Sequence, residues 1–86
     1  MSPEECLVAL RELAGEFGLE VRAAGPPDAP PTSGVCRVRG EIWVVLVAGE
    51  PAARQVDALV EGLRAHAGPA LEERYLPPAI RALLEP

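Results

Sequence analysis

A run of consecutive apolar residues, Ile-Trp-Val-Val-Leu-Val-Ala at 42–48, constrains the fold of this chain more than any other segment. Every position of the run is apolar, so a strand formed by it has no polar face to expose. Such a strand is covered on both faces or lies in the centre of its sheet. We therefore expect residues 42–48 to form the central strand of the sheet.

The segment just before this run, residues 35–39, predicts the first strand of a β-hairpin. Arg37 and Arg39 fall on one face of that strand. Cys36 and Val38 fall on the other face, and the glycine that follows supplies a tight turn. The two arginines indicate either a solvated edge, where charge prevents unwanted strand pairing, or a paired anion-binding site.

A first helix is predicted over residues 3–17. Ser2 suits the N-cap, Pro3 suits the first helical position, and Glu5 completes a capping box with the serine. Gly18 is the expected stop. The face expected to be buried carries Cys6, Leu7, Leu10, Leu13, Ala14 and Phe17.

A second helix is predicted to begin at Glu50-Pro51, with the proline at its first position, and to end at Gly68-Pro69. Its buried stripe is expected to carry Ala52, Val56, Leu59, Val60 and Leu63. The opposite face carries charged residues at spacings suited to mutual ion pairing, namely Arg54, Asp57, Glu61 and Arg64.

The segments on either side of the hairpin and second helix indicate a further strand, a loop and a last helix. Residues 19–23 alternate apolar and charged side chains, which predicts a strand with one wet face. Residues 24–34 contain two Pro-Pro pairs, which disfavour regular structure. We interpret them as a flexible surface loop, with a peptide-like segment that docks on a partner as the alternative.

The C-terminal segment is predicted to return to the core. Its expected anchors in a short turn of helix are Leu71, Tyr75 and Leu76. A last helix that begins near Pro78 can bury Ile80, Leu83 and Leu84. Because so short a helix does not persist alone, it must pack on this domain or on a partner.

The predicted fold class is α+β, in one domain of residues 1–86. The predicted order is helix, strand, Pro-rich loop, β-hairpin, helix and short C-terminal helix. These elements give a small three-stranded, mainly antiparallel sheet packed on helices. A chain of 86 residues lies near the lower end of what one core supports, and with 3% aromatic residues that core must come from Leu, Val and Ala.

The charge and hydropathy of the chain argue against several classes of function. A net charge of −5 leaves no excess positive charge for phosphates, so we expect neither nucleic-acid nor anionic-membrane binding. No apolar run approaches the roughly 18 residues that a membrane span requires. The first residues lack the basic and apolar regions of a signal peptide, which predicts a cytoplasmic protein.

The basic residues indicate a bacterial source. All eight are arginine, lysine and asparagine are absent, and there are ten prolines. Codon usage in a GC-rich genome explains this bias, and adaptation to heat is the alternative explanation.

The residues able to carry chemistry form no recognisable pattern. His66 is the single histidine, and we expect it to act as a cation at the negative end of the second helix. Cys6 and Cys36 are expected to be reduced thiols, with a disulfide between helix and strand as the alternative. A nucleophile–base pair of Cys36 and His66 requires that the strand end and the helix end coincide. We predict no catalytic residue, no metal site and no cofactor.

The order of elements and a second helix containing Arg54 and Gln55 resemble the core of the ImmA/IrrE-type zinc metallopeptidases, over residues 3–65. In that family two histidines of an H-E-x-x-H motif hold zinc, and the glutamate between them activates water. Here Leu59 also matches, but the motif falls on Glu61-Gly62-Leu63-Arg64-Ala65. The resemblance therefore implies a non-catalytic relative in which no functional residue carries over.

We expect a non-catalytic interaction module that binds a protein partner or associates with itself as a homo-oligomer such as a dimer. A core this small gains stability from a second copy. The exposed side of the hairpin and the C-terminal helix are the expected contacts. Two alternatives remain open: a regulatory domain that binds a small anion near Arg37 and Arg39, and an enzyme that uses Cys36, His66 or a metal.

Overall fold

The computed structural model describes residues 1–23 and 32–85. Three helices and a three-stranded sheet form the α+β fold that the sequence predicts, in the predicted order. The elements are α1 Pro3–Glu16, β1 Glu20–Arg22, β2 Gly34–Val38, β3 Glu41–Val45, α2 Ala52–Glu73 and α3 Pro78–Leu84.

The apolar run lies in the centre of the sheet, as predicted, because the strand order is β1-β3-β2. Regular pairing of β3 ends at Val45, before the predicted end of the strand. The next backbone amide, that of Leu46, donates to the carbonyl of Arg22 at 2.9 Å. The amide of Val47 instead donates to the hydroxyl of Ser33 at 3.0 Å, so a side chain replaces the strand ladder there.

The sheet is mixed, whereas the sequence predicted one that is mainly antiparallel. β2 runs antiparallel to β3, and β1 runs parallel to β3, with Glu20 beside Trp43 and Arg22 beside Val45. β1 lies on the side of β3 that the hairpin leaves free, and it points in the same direction as β3. The alternation of side chains in β1 indicates a strand but does not say which neighbour it joins.

The hairpin turn places Arg39 outside β2. Arg39 and Gly40 have φ values of +53° and +82°, the left-handed conformation that a two-residue type I′ turn needs at both central positions. The turn at Gly40 is therefore confirmed, but Arg39 does not extend the strand beside Arg37. At the other end, Gly34 belongs to β2 and not to the predicted loop of residues 24–34, of which 24–31 lie outside the described residues.

The two ends of α1 are formed as predicted. The hydroxyl of Ser2 accepts from the amide of Glu5 at 3.2 Å, and the capping box is complete. The helix ends at Glu16, after which Gly18 takes a φ of +70°. The amide of Gly18 donates to Gly15, and that of Leu19 donates to Ala14, in a Schellman arrangement that only a residue tolerant of positive φ forms without strain.

The second helix differs from the prediction at both ends. Pro51 is the residue before the helix, not its first member. The predicted stop at residues 68–69 is instead a break within α2, where Ala67 has the non-helical values φ −140° and ψ 28°. A second helical segment follows the break and contains Pro69. Pro69 lies in the first turn of that segment, where backbone amides have no acceptor within the helix. Its lack of an amide proton therefore removes no helical hydrogen bond.

The C-terminal segment packs on this domain, where α3 contacts both α1 and α2. The predicted anchors Leu71 and Leu76 are buried, but Tyr75 is 80% exposed. Tyr75 and Leu76 follow the end of α2 in non-helical backbone, where neighbouring side chains point in different directions. In α3, Ile80 is buried, whereas Leu83 lies at the edge of the stripe and is 36% exposed.

The core lies between the helices and one face of the sheet. It is aliphatic, as the low aromatic content predicts, and the fully buried large side chains are Leu10, Leu59, Leu63, Ile80 and Val44. The single buried polar side chain among the described residues is Gln55, whose amide donates to the carbonyl of Glu50 at 3.0 Å. This bond satisfies the buried amide and ties the first turns of α2 to the backbone that precedes the helix.

Candidate functional site

The two faces of the sheet have different neighbours. A methyl group placed on Gly62 of α2 would overlap Cγ2 of Val44 and lie 3.6 Å from Cγ2 of Val35, so these two valines face the helix. Because side chains alternate along a strand, Cys36 and Trp43 lie on the opposite face. Neither Cys36 nor Trp43 belongs to the cluster that forms the core. We call this opposite side the Trp43 face.

This geometry keeps the thiol of Cys36 away from the imidazole of His66. The helix that carries His66 packs on the face opposite Cys36. Nε2 of His66 lies 2.9 Å from the carbonyl oxygen of Phe17, and since a carbonyl can only accept, Nε2 carries the proton. His66 lies in the last turn before the break in α2 at Ala67, close to the predicted helix end, and its ring contacts the C-terminus of α1. The two residues do not form a nucleophile–base pair.

The two cysteines are both free thiols. Cys6 is buried in the helical layer and belongs to the core, whereas Cys36 is half-buried on the Trp43 face. A sheet lies between them, so the alternative of a disulfide between helix and strand does not hold.

The hairpin turn changes the setting of the predicted anion-binding pair, Arg37 and Arg39. Arg37 lines a shallow depression at the turn end of the sheet together with His66, while Arg39 lies in the turn. Glu20 and Glu41 also line this depression, but the Glu20 carboxylate pairs with Arg22 beside the Trp43 ring. Of the two predicted arginines, only Arg37 lines the depression, so the second guanidinium that the anion-binding alternative required is not part of it.

The described residues contain no group of three His, Cys, Asp or Glu side chains placed to hold a metal ion. The position that the metallopeptidase resemblance assigns to the catalytic glutamate is Gly62. It is buried against the sheet, where even a methyl group overlaps Val44. A glutamate at this position has no space in the present packing.

The Trp43 face carries a stacked cation that the sequence patterns did not indicate. The guanidinium of Arg22 lies 4.6 Å from the centre of the Trp43 ring, in cation–π geometry. Glu20 pairs with the same guanidinium at 2.5 Å. The parallel pairing of β1 with β3 creates this contact, so no reading of either segment alone could find it. The indole Nε1 is buried and has no hydrogen-bond partner among the described residues.

The outer strand β2 has one edge without a strand partner among the described residues. Val38 and Glu41 close a two-residue turn and exchange both hydrogen bonds, and pairs then alternate along an antiparallel ladder. Cys36 therefore bonds towards Trp43, whereas the amides and carbonyls of Val35 and Arg37 point away from β3. Among the described residues no strand pairs with this side of β2. We call it the β2 edge.

Side chains hold the start of β2 against the start of α2. The carboxylate of Glu50 accepts from the amide of Ser33, and the hydroxyl of Ser33 accepts from the amide of Val47. The bond from Ser33, reinforced by the positive charge of Arg54, lowers the pKa of the Glu50 carboxyl below its ordinary value of 4.5. Glu50 therefore fixes the position of the β2 edge.

We expect acid to weaken the fold through Glu50. Its pKa is lower in the folded than in the unfolded chain, so its contribution is complete above the unfolded pKa and is lost as the pH falls through the folded one. Glu50→Gln is expected to flatten the fall in unfolding free energy below about pH 4.5. Urea unfolding at a series of pH values measures this, with the exposed Glu61→Gln as control. Equal slopes for wild type and Glu50→Gln would contradict the assignment.

No known protein family, curated protein or solved structure matches the chain. Among the described residues, no helix combines the length and apolar character needed to cross a membrane.

Proposed function

We propose that this protein is a non-catalytic module that binds a protein by strand addition along the β2 edge. The observation that carries the proposal is the set of backbone groups at Val35 and Arg37, which point away from the sheet without a strand partner among the described residues. Exposed edge groups of this kind are a template for another strand. Their hydrogen bonds provide affinity without a dedicated pocket.

The other edge of the sheet is less suited to a partner. β1 has three residues, and Glu20 and Arg22 of that strand pair with each other beside the Trp43 ring. Natural sheets protect their edges with short strands and charged side chains of this kind. β2 has five residues and a longer accessible ladder, which favours it as the binding edge.

A non-catalytic role is supported by the position of the residues that could react. Cys36 and His66 lie on opposite sides of the sheet, and Gly62 leaves no space for a catalytic glutamate. The net charge of −5 favours a protein partner over nucleic acid or an anionic membrane. Two free thiols agree with the cytoplasm, where cysteines are kept reduced.

The test is amide hydrogen exchange measured together with molar mass by light scattering, from low to high micromolar protein under reducing conditions. We expect the mass to rise above that of the monomer and the amides of Val35 and Arg37 to become protected with it. The amide of Cys36 serves as the internal control, because it bonds within the hairpin and should be protected throughout. A monomer in which Val35 and Arg37 exchange freely at every concentration would contradict self-association.

A further inference from the structure

We propose that the partner at the β2 edge is β2 of a second copy, antiparallel, with the two-fold axis at Cys36. This inference rests on the function proposed above and adds the identity of the partner and the register of pairing. Pairing two edges in this way doubles the three-stranded sheet. It satisfies the outward backbone groups of both copies at once.

The hydrogen-bond pattern of the hairpin restricts the register. In an antiparallel pair, residues that exchange both bonds lie opposite each other, so the outward groups of Val35 and Arg37 must meet outward groups of the partner. Pairing Val35 with Arg37 of the second copy meets this condition. It also pairs the whole of Gly34–Val38, because Cys36 is the middle residue of the strand.

The symmetric registers centred on the two neighbouring residues are less favourable. Placing Arg37 opposite its own copy brings two guanidinium groups together on one face, and like charges directly opposite each other destabilise a sheet. Placing Val35 opposite its own copy extends the pairing to Ser33, whose amide already bonds to Glu50. The register centred on Cys36 avoids both conflicts.

Charge complementarity supports the same register. With Val38 opposite Gly34 of the second copy, the turn residue Arg39 comes beside Ser33 of that copy. The Glu50 carboxylate, which accepts from Ser33, pairs with Arg54 and is 21% exposed, offers a negative charge at this position. The two-fold axis repeats this match of Arg39 with Glu50 at both ends of the joined strands.

The register makes a covalent test possible. Cys36 lies opposite Cys36 of the second copy in a pair without mutual hydrogen bonds, where Cα atoms are about 4.5 Å apart. This lies within the roughly 4.4–6.8 Å that a disulfide requires. Both thiols lie on the Trp43 face, next to the ring of Trp43 in the neighbouring strand.

The experiment is oxidation with diamide, which accepts the two protons and two electrons released as two thiols form a disulfide. We expect wild type and Cys6→Ala to give a disulfide-linked dimer on non-reducing gels, and Cys36→Ala to lose it. A double variant, Cys36→Ala with Ala65→Cys, places an exposed thiol on α2 and reports collisions alone. We expect its crosslinking to be slow and proportional to concentration, unlike that of Cys36.

Light scattering under reducing conditions separates the possible failures. We expect Cys36→Ala to keep the mass of a dimer. We expect Cys36→Lys to become monomeric, because it places two ammonium groups opposite each other. Circular dichroism verifies that both variants are folded. A wild-type dimer that does not crosslink through Cys36 would overturn the register but leave self-association standing. A wild-type monomer would overturn self-association itself.

Discussion

Gly62→Ala is expected to lower the free energy of unfolding by about 2 kcal/mol, although alanine is the better helix former. The new methyl group would overlap Cγ2 of Val44 and lie 3.4 Å from a side-chain carbon of Leu19. Val44 is fully buried in the central strand, which is hydrogen-bonded to a neighbour on each side. Since neither the strand nor its β-branched side chain can move easily, the helix must shift away from the sheet. Chemical denaturation monitored by circular dichroism measures the loss.

Gly15→Ala is the matched control, because it also replaces a helical glycine by alanine. No atom lies within 4 Å of the new methyl group at this exposed position in α1. We expect a gain in stability of about 0.5 kcal/mol, from reduced backbone entropy alone. Val44→Ala should partly offset Gly62→Ala in a double variant, because it removes the methyl groups that clash. Equal effects at Gly62 and Gly15 would show that helix and sheet are not in close contact.

The local elements of this fold could be predicted from the sequence because local chemistry determines them. Ser2 and Glu5 form a capping box within one turn, and the turn at Gly40 involves adjacent residues. The central position of β3 also followed from the sequence, because an apolar strand must be covered by strands or helices on all sides. Each of these inferences needs only residues that are close in the chain.

The features that sequence reasoning missed depend on contacts between distant segments. The parallel pairing of β1 with β3 brings Arg22 over Trp43, and neither segment carries a signal for the other. The exposure of Tyr75 was missed for a related reason: an aromatic residue suggests burial, but the end of α2 decides which way it points. The sequence indicated a solvated edge within residues 35–39, but the strand order and register are needed to identify which backbone groups of that edge point away from the sheet.

Ile80→Ala is expected to lower the free energy of unfolding by about 3 kcal/mol, the larger of the two effects. Ile80 is 2% exposed and belongs to the core that α3 shares with α1 and α2. A helix of seven residues does not persist without such packing. We therefore expect the amides of α3 to exchange at nearly the rate of an unstructured peptide, while those of β3 remain protected.

Leu83→Ala is the matched control for α3, since it removes an aliphatic side chain from the same helix at a position that is 36% exposed. We expect it to lower the free energy of unfolding by roughly 1–2 kcal/mol, less than Ile80→Ala, because about a third of the residue's surface is already exposed to water in the monomer. Hydrogen exchange and urea unfolding of both variants measure the contrast.

Two outcomes would differ from this expectation. If Leu83→Ala were as destabilising as Ile80→Ala only at concentrations where the protein self-associates, α3 would belong to the interface as well as to the monomer core. If the two variants were equally destabilising at every concentration, the burial of Ile80 and the partial exposure of Leu83 would be contradicted. A larger effect at Ile80 than at Leu83 at every concentration would assign α3 to the core of the monomer.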